Sequence, residues 1–315
     1  MTQARGELTK LLLQYQTASR TAPATPAAKV IPFTSYTVGR DPKRQQNQTQ
    51  NNSPLSNKSD AGNPIVAGNI QSVLDLRTVG YLLKLALGQP TTTGTTLKTH
   101  TFPVNLADRP AALLELGHYD INNYFRTLDA HVNKLAWDIA NNDQNITADI
   151  MAGEEINPLP VTAFDAAPTS VDSFRACSAS GVISDGAGAT LGQVVSGNIE
   201  INNNIQPQEL QDGFPGYGLF PLGELMFSGT LKCVFDGAAA WDLARAGTST
   251  RLKLVSAATI GANTFTLTVD MPYVELIEKA LPKQGRSGLF ADVAWKAHAG
   301  ATLPVVTLSN DVAAY

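Results

Sequence analysis

The sequence predicts a mainly β chain organised as two tandem units, each built of strands around one α-helix. Three observations carry this. Long segments alternate apolar and polar residues with the period of a strand, and Phe265, Leu267, Val269, Met271 and Tyr273 make a five-member face. Helical periodicity is confined to three short stretches, each closed by Gly or Pro. An order of strand, Asp-capped helix, glycine stop, strands and long hairpin occurs twice, about 160 residues apart at the helices.

In chain order, residues 4–18 (ARGELTKLLLQYQTA) read as a helix that Pro23 and Pro26 bar from continuing. Residues 29–38 are extended. Residues 39–64 are packed with Gln, Asn, Ser and Lys and nearly lack apolar side chains. Such a segment cannot bury enough surface to fold alone, so it is a long surface loop or an arm ordered on contact. Residues 66–74 form a strand, and Asp75 caps a helix whose Leu76, Val79, Leu82, Leu83, Ala86 and Leu87 share one face. Gly88 closes that helix and Pro90 prevents its resumption.

Strands are expected next at about 98–104, 112–121, 124–140 and 146–152. Within 124–140 the apolar phase slips at Asn133-Lys134, from Leu128, Ala130 and Val132 to Leu135, Trp137 and Ile139, as a β-bulge requires. Asn141-Asn142-Asp143-Gln144 is the hairpin turn. Residues 153–173 read as a linker, which sets the units at 1–160, including the polar arm, and 161–315. In the second unit a strand at 230–235 leads to Asp236 as cap, a helix at 238–246 and Gly247 as stop. Strands at about 250–257 and 263–277, a turn at 282–288 and a strand at 289–298 complete it. Leu231, Cys233, Phe235 and Asp236 align with Ile70, Ser72, Leu74 and Asp75, and the closing hairpin parallels 132–151. The pattern is that of an internal duplication.

Composition bounds the function. The net charge of −4 and pI near 5.6 argue against a protein that grips nucleic acid through its phosphates. Residues 1–60 hold eight basic and three acidic groups, so the basic end either meets an acidic neighbour or is a solvated arm. Cys177 and Cys233 are too few for a disulfide framework and fit no zinc spacing; they read as reduced packing residues. With no signal peptide and no bilayer-length apolar run, the expected product is soluble and intracellular when made, with no membrane anchor.

The residues assemble no chemistry: no catalytic, cofactor-binding or metal-ligating residue is assigned, and the chain is not read as an enzyme. His100, His118, His131 and His298 each lack a second His or Cys at a ligand spacing. Residues 184–192 (SDGAGATLG) have the look of a dinucleotide-binding loop, but the third glycine is one position late. The next residues, QVVSGNIEIN at 193–202, alternate as a strand, so a glycine-rich hairpin loop is the reading. The pairs Glu154-Glu155 and Asp143 with Asp149 read as solvated carboxylates at turns. A carbohydrate-binding β-sandwich, the rival from another class, would display aromatic platforms, whereas the three Trp stand in patterned strand or helix positions.

Several segments in fixed order carry a resemblance. LLLQYQTASRTAPAT leads into AKVIPFTSYTVGRDPKRQQNQ, and GNIQSVLDLRTVGYLLKLALGQPTTTG is followed by THTF. DAHVNKLAWDI, VVSGNIEINNNIQPQ, ELMFSGTLKCVFD, TFTLTVDMPYVEL and LFADVAWKAHAG come after. Together, from about residue 8 to 308, they resemble the tail tube proteins of long, non-contractile phage tails. The sequence departs from that pattern in the length of 39–64 and in 275–283 (ELIEKALPK), a helix-like replacement for a plainer loop.

The resemblance implies a β-sandwich flanked by an α-helix and contributing strands to an intersubunit β-barrel; with the internal duplication, the chain is expected to hold two tandem β-sandwich units of this kind. It implies a virion protein of the tail, made in the bacterial host cytoplasm. Copies of the chain would form rings stacked helically around a lumen through which DNA passes without specific binding. Three chains with pseudo-sixfold symmetry are favoured if both halves line the lumen, and six if only one does. Further partners would be the tape measure, terminator and distal tail proteins. Arg40, Lys43 and Arg44 are the candidate inter-ring contacts, on an arm whose bland alternative is a surface loop. A tail terminator, distal tail or decoration protein is the alternative function.

Overall fold

In the computed structural model the described residues are all but 1–3, 51, 106, 143, 185–189, 235–238, 262 and 278–289. The described residues are 50% strand and 6% helix, which places the chain among mainly β folds. Its first half runs β1 Thr9–Tyr15, β2 Lys29–Ile31, β3 Ser35–Tyr36, β4 Gly39–Asp41 and β5 Ile65–Val73. Helix α1 Val79–Leu87 comes next, then β6 Thr91–Thr93, β7 Lys98–Phe102 and β8 Ala112–His118. The half closes with β9 Asn123–Ile139, β10 Asn145–Ala152 and β11 Glu154–Glu155. The second half holds β12 Ser178–Ser184, β13 Thr190–Asn202, β14 Gln208–Glu209, β15 Tyr217–Leu219 and β16 Met226–Val234. It ends with α2 Ala239–Ala246, β17 Thr250–Ile260, β18 Asn263–Ile277, β19 Phe290–Ala297 and β20 Val305–Asn310.

The first half is a β-sandwich. One layer is β2–β1–β8–β9, the other β5–β10–β9 with β3 and β4 at its edge, and the 17-residue β9 belongs to both. The two ends of β9 face different partners because it carries extra residues. Against β10, Lys134 pairs with Asp149 but Val132 with Ile150, so Asn133 is the additional residue of a bulge. Against β8, Ala130 pairs with Ala112 but Thr127 with Leu114, a second bulge, where Asp129 takes φ 53°.

The same pairing order recurs in the second half. β1–β8–β9–β10–β5 corresponds to β12–β17–β18–β19–β16, with a helix after β5 and another after β16. The bulges correspond too: Val274 pairs with Thr250 but Met271 with Leu252. β12 and β13 also pair, so that β12–β17–β18–β19–β16–β13 closes on itself. Among the described residues the strands of the two halves pair at two places. β9 pairs with β13, Ile139 opposite Gly197 through Lys134 opposite Asn202, and β20 bridges β18 to β7. One hydrophobic core runs through both, with Trp137 and Trp295 among its largest fully buried side chains.

Helix boundaries reflect their capping chemistry. Asp75 Oδ1 accepts the backbone N–H of Arg77 (2.9 Å) and Thr78 (2.7 Å) at the entry to α1. Gly88 ends α1 at φ 99°, its N–H donating to Lys84 O. α2 ends in a Schellman motif: the N–H of Gly247 (φ 63°) donates to Ala244 O and that of Thr248 to Leu243 O. The proposed cap Asp236, the tip of the 184–192 loop and the turn at 282–288 lie outside the described residues. β13 takes up the strand expected at 193–202.

Several expectations about the elements need correction or refinement. Residues 9–15 are a strand, not part of a helix, after a single short turn at Gly6–Leu8. Leu11, Leu12 and Leu13 are all buried because β1 has partners on both edges and covered faces on both sides, a run that periodicity cannot tell from a helix. The polar segment is shorter than 39–64, since Gly39–Asp41 pairs with β5. Residues 153–173, read as a linker, are bonded along the first half: Ala28 N donates to buried Asp165, Val30 N to Thr169 O, and Phe164 N to Glu115. Finally, Glu275 and its neighbours to Ile277 continue β18 rather than starting a helix, and 278–283 lie outside the described residues.

Candidate assembly site

The feature that both halves build together is one face of the joined sheet. Residues that pair across β5, β10, β9, β13, β16 and β19 sort strictly by side. Ile146, Trp137, Ile199 and Trp295 lie on the buried face. The opposite face carries Gln71, Thr147, Ala136, Glu200, Ser228 and Lys296 in one row. The next row is Asn69, Asp149, Lys134 and Asn202, and beyond the first lie Asp138, Asn198, Thr230 and Ala294. No aromatic ring stands on these rows. The face is polar, shallow and mixed in charge.

Its cations are held by carboxylates. Lys134 Nζ lies 3.3 Å from Asp149 and 3.7 Å from Glu200, so it spans three strands across the junction of the halves. Lys296 lies 3.6 Å from Glu224. Partly exposed pairs of this kind add about 0–1 kcal/mol each, so their effect is on the local field more than on stability. Asp149 is therefore mid-strand and not at a turn. Glu154 and Glu155 likewise form a strand, where burial raises the Glu155 pKa against the lowering effect of Arg40. The sequence contains these rows as the polar phase of each alternation. Nothing local says that β9 and β13, about 60 residues apart, are neighbours.

The three residues singled out in sequence do not converge. Arg40 lies on β4 opposite Val66, beside Glu155. Lys43 is exposed and ion-paired with Asp41 at 2.8 Å, which raises its pKa through that hydrogen bond. Arg44 is exposed. Of the four histidines, His100 is buried between Thr92 and Asn310, His118 meets Thr9, and His298 meets Ser249. No group of three or more possible metal ligands occurs among the described residues. Cys233 is buried with its thiol pKa pushed up to about 11 by burial, whereas Cys177 is exposed and so is not the packing residue expected. No helix of the described residues is long and apolar enough to cross a membrane.

His131 marks where the second half folds over the first. It lines a cleft of about 570 Å³ with Asp108, Arg109 and Asp129, and its ring lies 4.5 Å from that of Phe220. Burial lowers its pKa from 6.5 to about 4, opposed by Asp129. Between these values the unfolded chain binds the proton and the folded chain does not, so this contribution to stability is lost as pH falls from about 6.5 to 4. Replacing His131 by Gln flattens the dependence of the unfolding midpoint on pH in that window. Urea titrations at pH 7, 5.5 and 4.5 read this; equal slopes in both proteins refute it.

A protein-family model described as phage tail tube protein matches residues 6–297. No curated protein matches the chain.

Proposed function

The chain belongs to the phage tail tube protein family, and from that premise we propose that copies of it form rings that stack into a hollow cylinder for DNA passage. The observation that carries this is the polar face shared by both halves. Its cations are paired and it has no ring on which bases stack, so a duplex sliding over it meets little that holds phosphate or base. A sheet already joined side by side within one chain also indicates how it continues: through further copies, until no edge is left exposed.

We read the subunit as two tube repeats, the first within 1–160 and the second within 161–315. The matched pairing order and the matched bulge at Thr127/Ala130 and Met271/Val274 support this reading. Three chains then supply the six repeats of a ring. The tape measure, terminator and distal tail proteins are the proposed partners along and at the ends of the tube, and contact by Arg40, Lys43 and Arg44 with another copy is part of the same proposal. Electron microscopy of the purified protein tests it. Open-ended tubes whose cross-section averages with threefold symmetry are expected. Sixfold averages of identical subunits overturn the three-chain ring, and closed rings that never elongate overturn the tube.

A further inference from the structure

Two loops occupy the same place in the two halves. The polar loop 42–64 joins β4 to β5, and loop 203–225 joins β13 to β16; each is 23 residues long. The strands that bracket them share a register. Tyr36 and Arg40 pair with Ile70 and Val66 as Gly197 and Ile201 pair with Leu231 and Phe227. Pro42, Lys43 and Arg44 therefore correspond to Asn203, Asn204 and Ile205.

Among the described residues, loop 203–225 has the more extensive seat within the chain. Loop 203–225 rests on β9 of the other half. Asn203 donates its N–H to Asn133 O (2.8 Å) and its amide to the carbonyls of Ala86 and Val132 (2.9 Å each). Ile205 N donates to Asn133 Oδ1 (2.8 Å), and Phe220 packs on His131. Loop 42–64 is exposed along nearly its whole length, held by an exchange of backbone bonds between Gln45 and Asp60 and by Asn63 at its base.

The seat has a counterpart as well. Counted from the matching bulges, His131 and Val132 on β9 correspond to Glu275 and Leu276 on β18, and Ile277 follows where β9 bulges at Asn133, although Ile277 itself pairs in register with Ala294. Val132 and Leu276 are both buried, whereas Glu275 is exposed and Ile277 is 48% exposed, a large aliphatic side chain at a strand end.

We propose, resting on the two-repeat reading, that loop 42–64 seats on Glu275–Ile277 of the next copy in the same ring, as loop 203–225 seats on His131–Asn133 within the chain. The charges suit the contact, since Lys43 and Arg44 come to an exposed carboxylate at Glu275. Ile277 is covered. Pro42 has no N–H to match the bond given by Asn203, so the side chains at 43 and 44 carry more of the contact than their counterparts do. The arm then closes rings rather than stacking them, which departs from the inter-ring role expected for Arg40, Lys43 and Arg44.

Cross-linking inside assembled tubes tests this. Arg44→Cys and Ile277→Cys are introduced with Cys177→Ser; Cys233 stays, being buried with a raised thiol pKa. A short bismaleimide should give covalent species that stop at three chains, because a ring closes. A stop at six keeps the seat and overturns the three-chain ring. A ladder without limit places the loop between rings, and tubes without cross-links leave it unseated; both overturn the inference. Should the cysteines hinder assembly, charge exchange gives the reading. Glu275→Lys alone should block tubes, and adding Lys43→Glu and Arg44→Glu should restore them; no restoration overturns the inference.

Discussion

Replacing Asp75 by alanine lowers the stability of the isolated chain by about 3–5 kcal/mol, the sum of a lost cap and several stranded buried donors. Asp75 is 1% exposed, yet its carboxylate serves two separate pieces of chain. Oδ1 accepts from the backbone of Arg77 and Thr78 and from the Thr78 hydroxyl (3.0 Å), fixing the entry to α1. Oδ2 accepts from Ser173 Oγ (2.5 Å) and from the Phe174 N–H, fixing the segment that leads to the second half. α1 itself is buried on almost every position, so a shift at its start is felt through the core.

Alanine leaves at least three of those donors without a partner and without water. Asp75→Asn keeps one acceptor oxygen and should recover about half of the loss. Chemical denaturation of the isolated chain measures both variants. A loss below about 1 kcal/mol for Asp75→Ala would show that the two segments hold their places without the carboxylate.

That residue also illustrates what the sequence makes legible. An Asp before an apolar helical stripe and a Gly after it are local signals, and so are the alternating faces of β9, β16 and β18 and the phase slip at Asn133. All rest on residues within one or two turns or strands of each other. Strand β1 reads as a helix because Leu11, Leu12 and Leu13 are buried on both sides, which erases the alternation that marks a strand. The role of Asp75 in binding Ser173 and Phe174 has no local trace at all.

The candidate assembly face is half legible. Its polar residues stand in the sequence as the complement of each apolar set, but a row such as Gln71, Thr147, Ala136, Glu200 exists only once four distant strands are in register. Asp149 looks like a turn residue next to the hairpin; its meaning comes from Lys134 on one neighbouring strand and Glu200 beyond it. The equality of loops 42–64 and 203–225 depends on the strand ends, which composition does not supply. Loop 42–64 stands out as polar, while 203–225 holds Phe214, Tyr217 and Phe220 and does not look like its equivalent.

If the polar face lines the lumen, Asp138→Lys together with Gln71→Lys yields tubes of normal appearance that retain DNA. Both side chains are exposed, so the change alters the field without disturbing the core, and it leaves the Lys134 pairs untouched. In a ring of three chains the double variant adds about six lysines. A surface making that many phosphate contacts changes affinity by roughly a thousandfold between 50 and 200 mM salt, through release of condensed counterions. Particles built with the variant should therefore eject DNA more slowly at low salt and approach the unaltered rate as salt rises past the screening range. Duplex fragments should likewise remain in isolated variant tubes at low salt and not in unaltered ones. Equal ejection rates at low salt, in particles whose tubes are intact, would place the face elsewhere than on the path of the DNA.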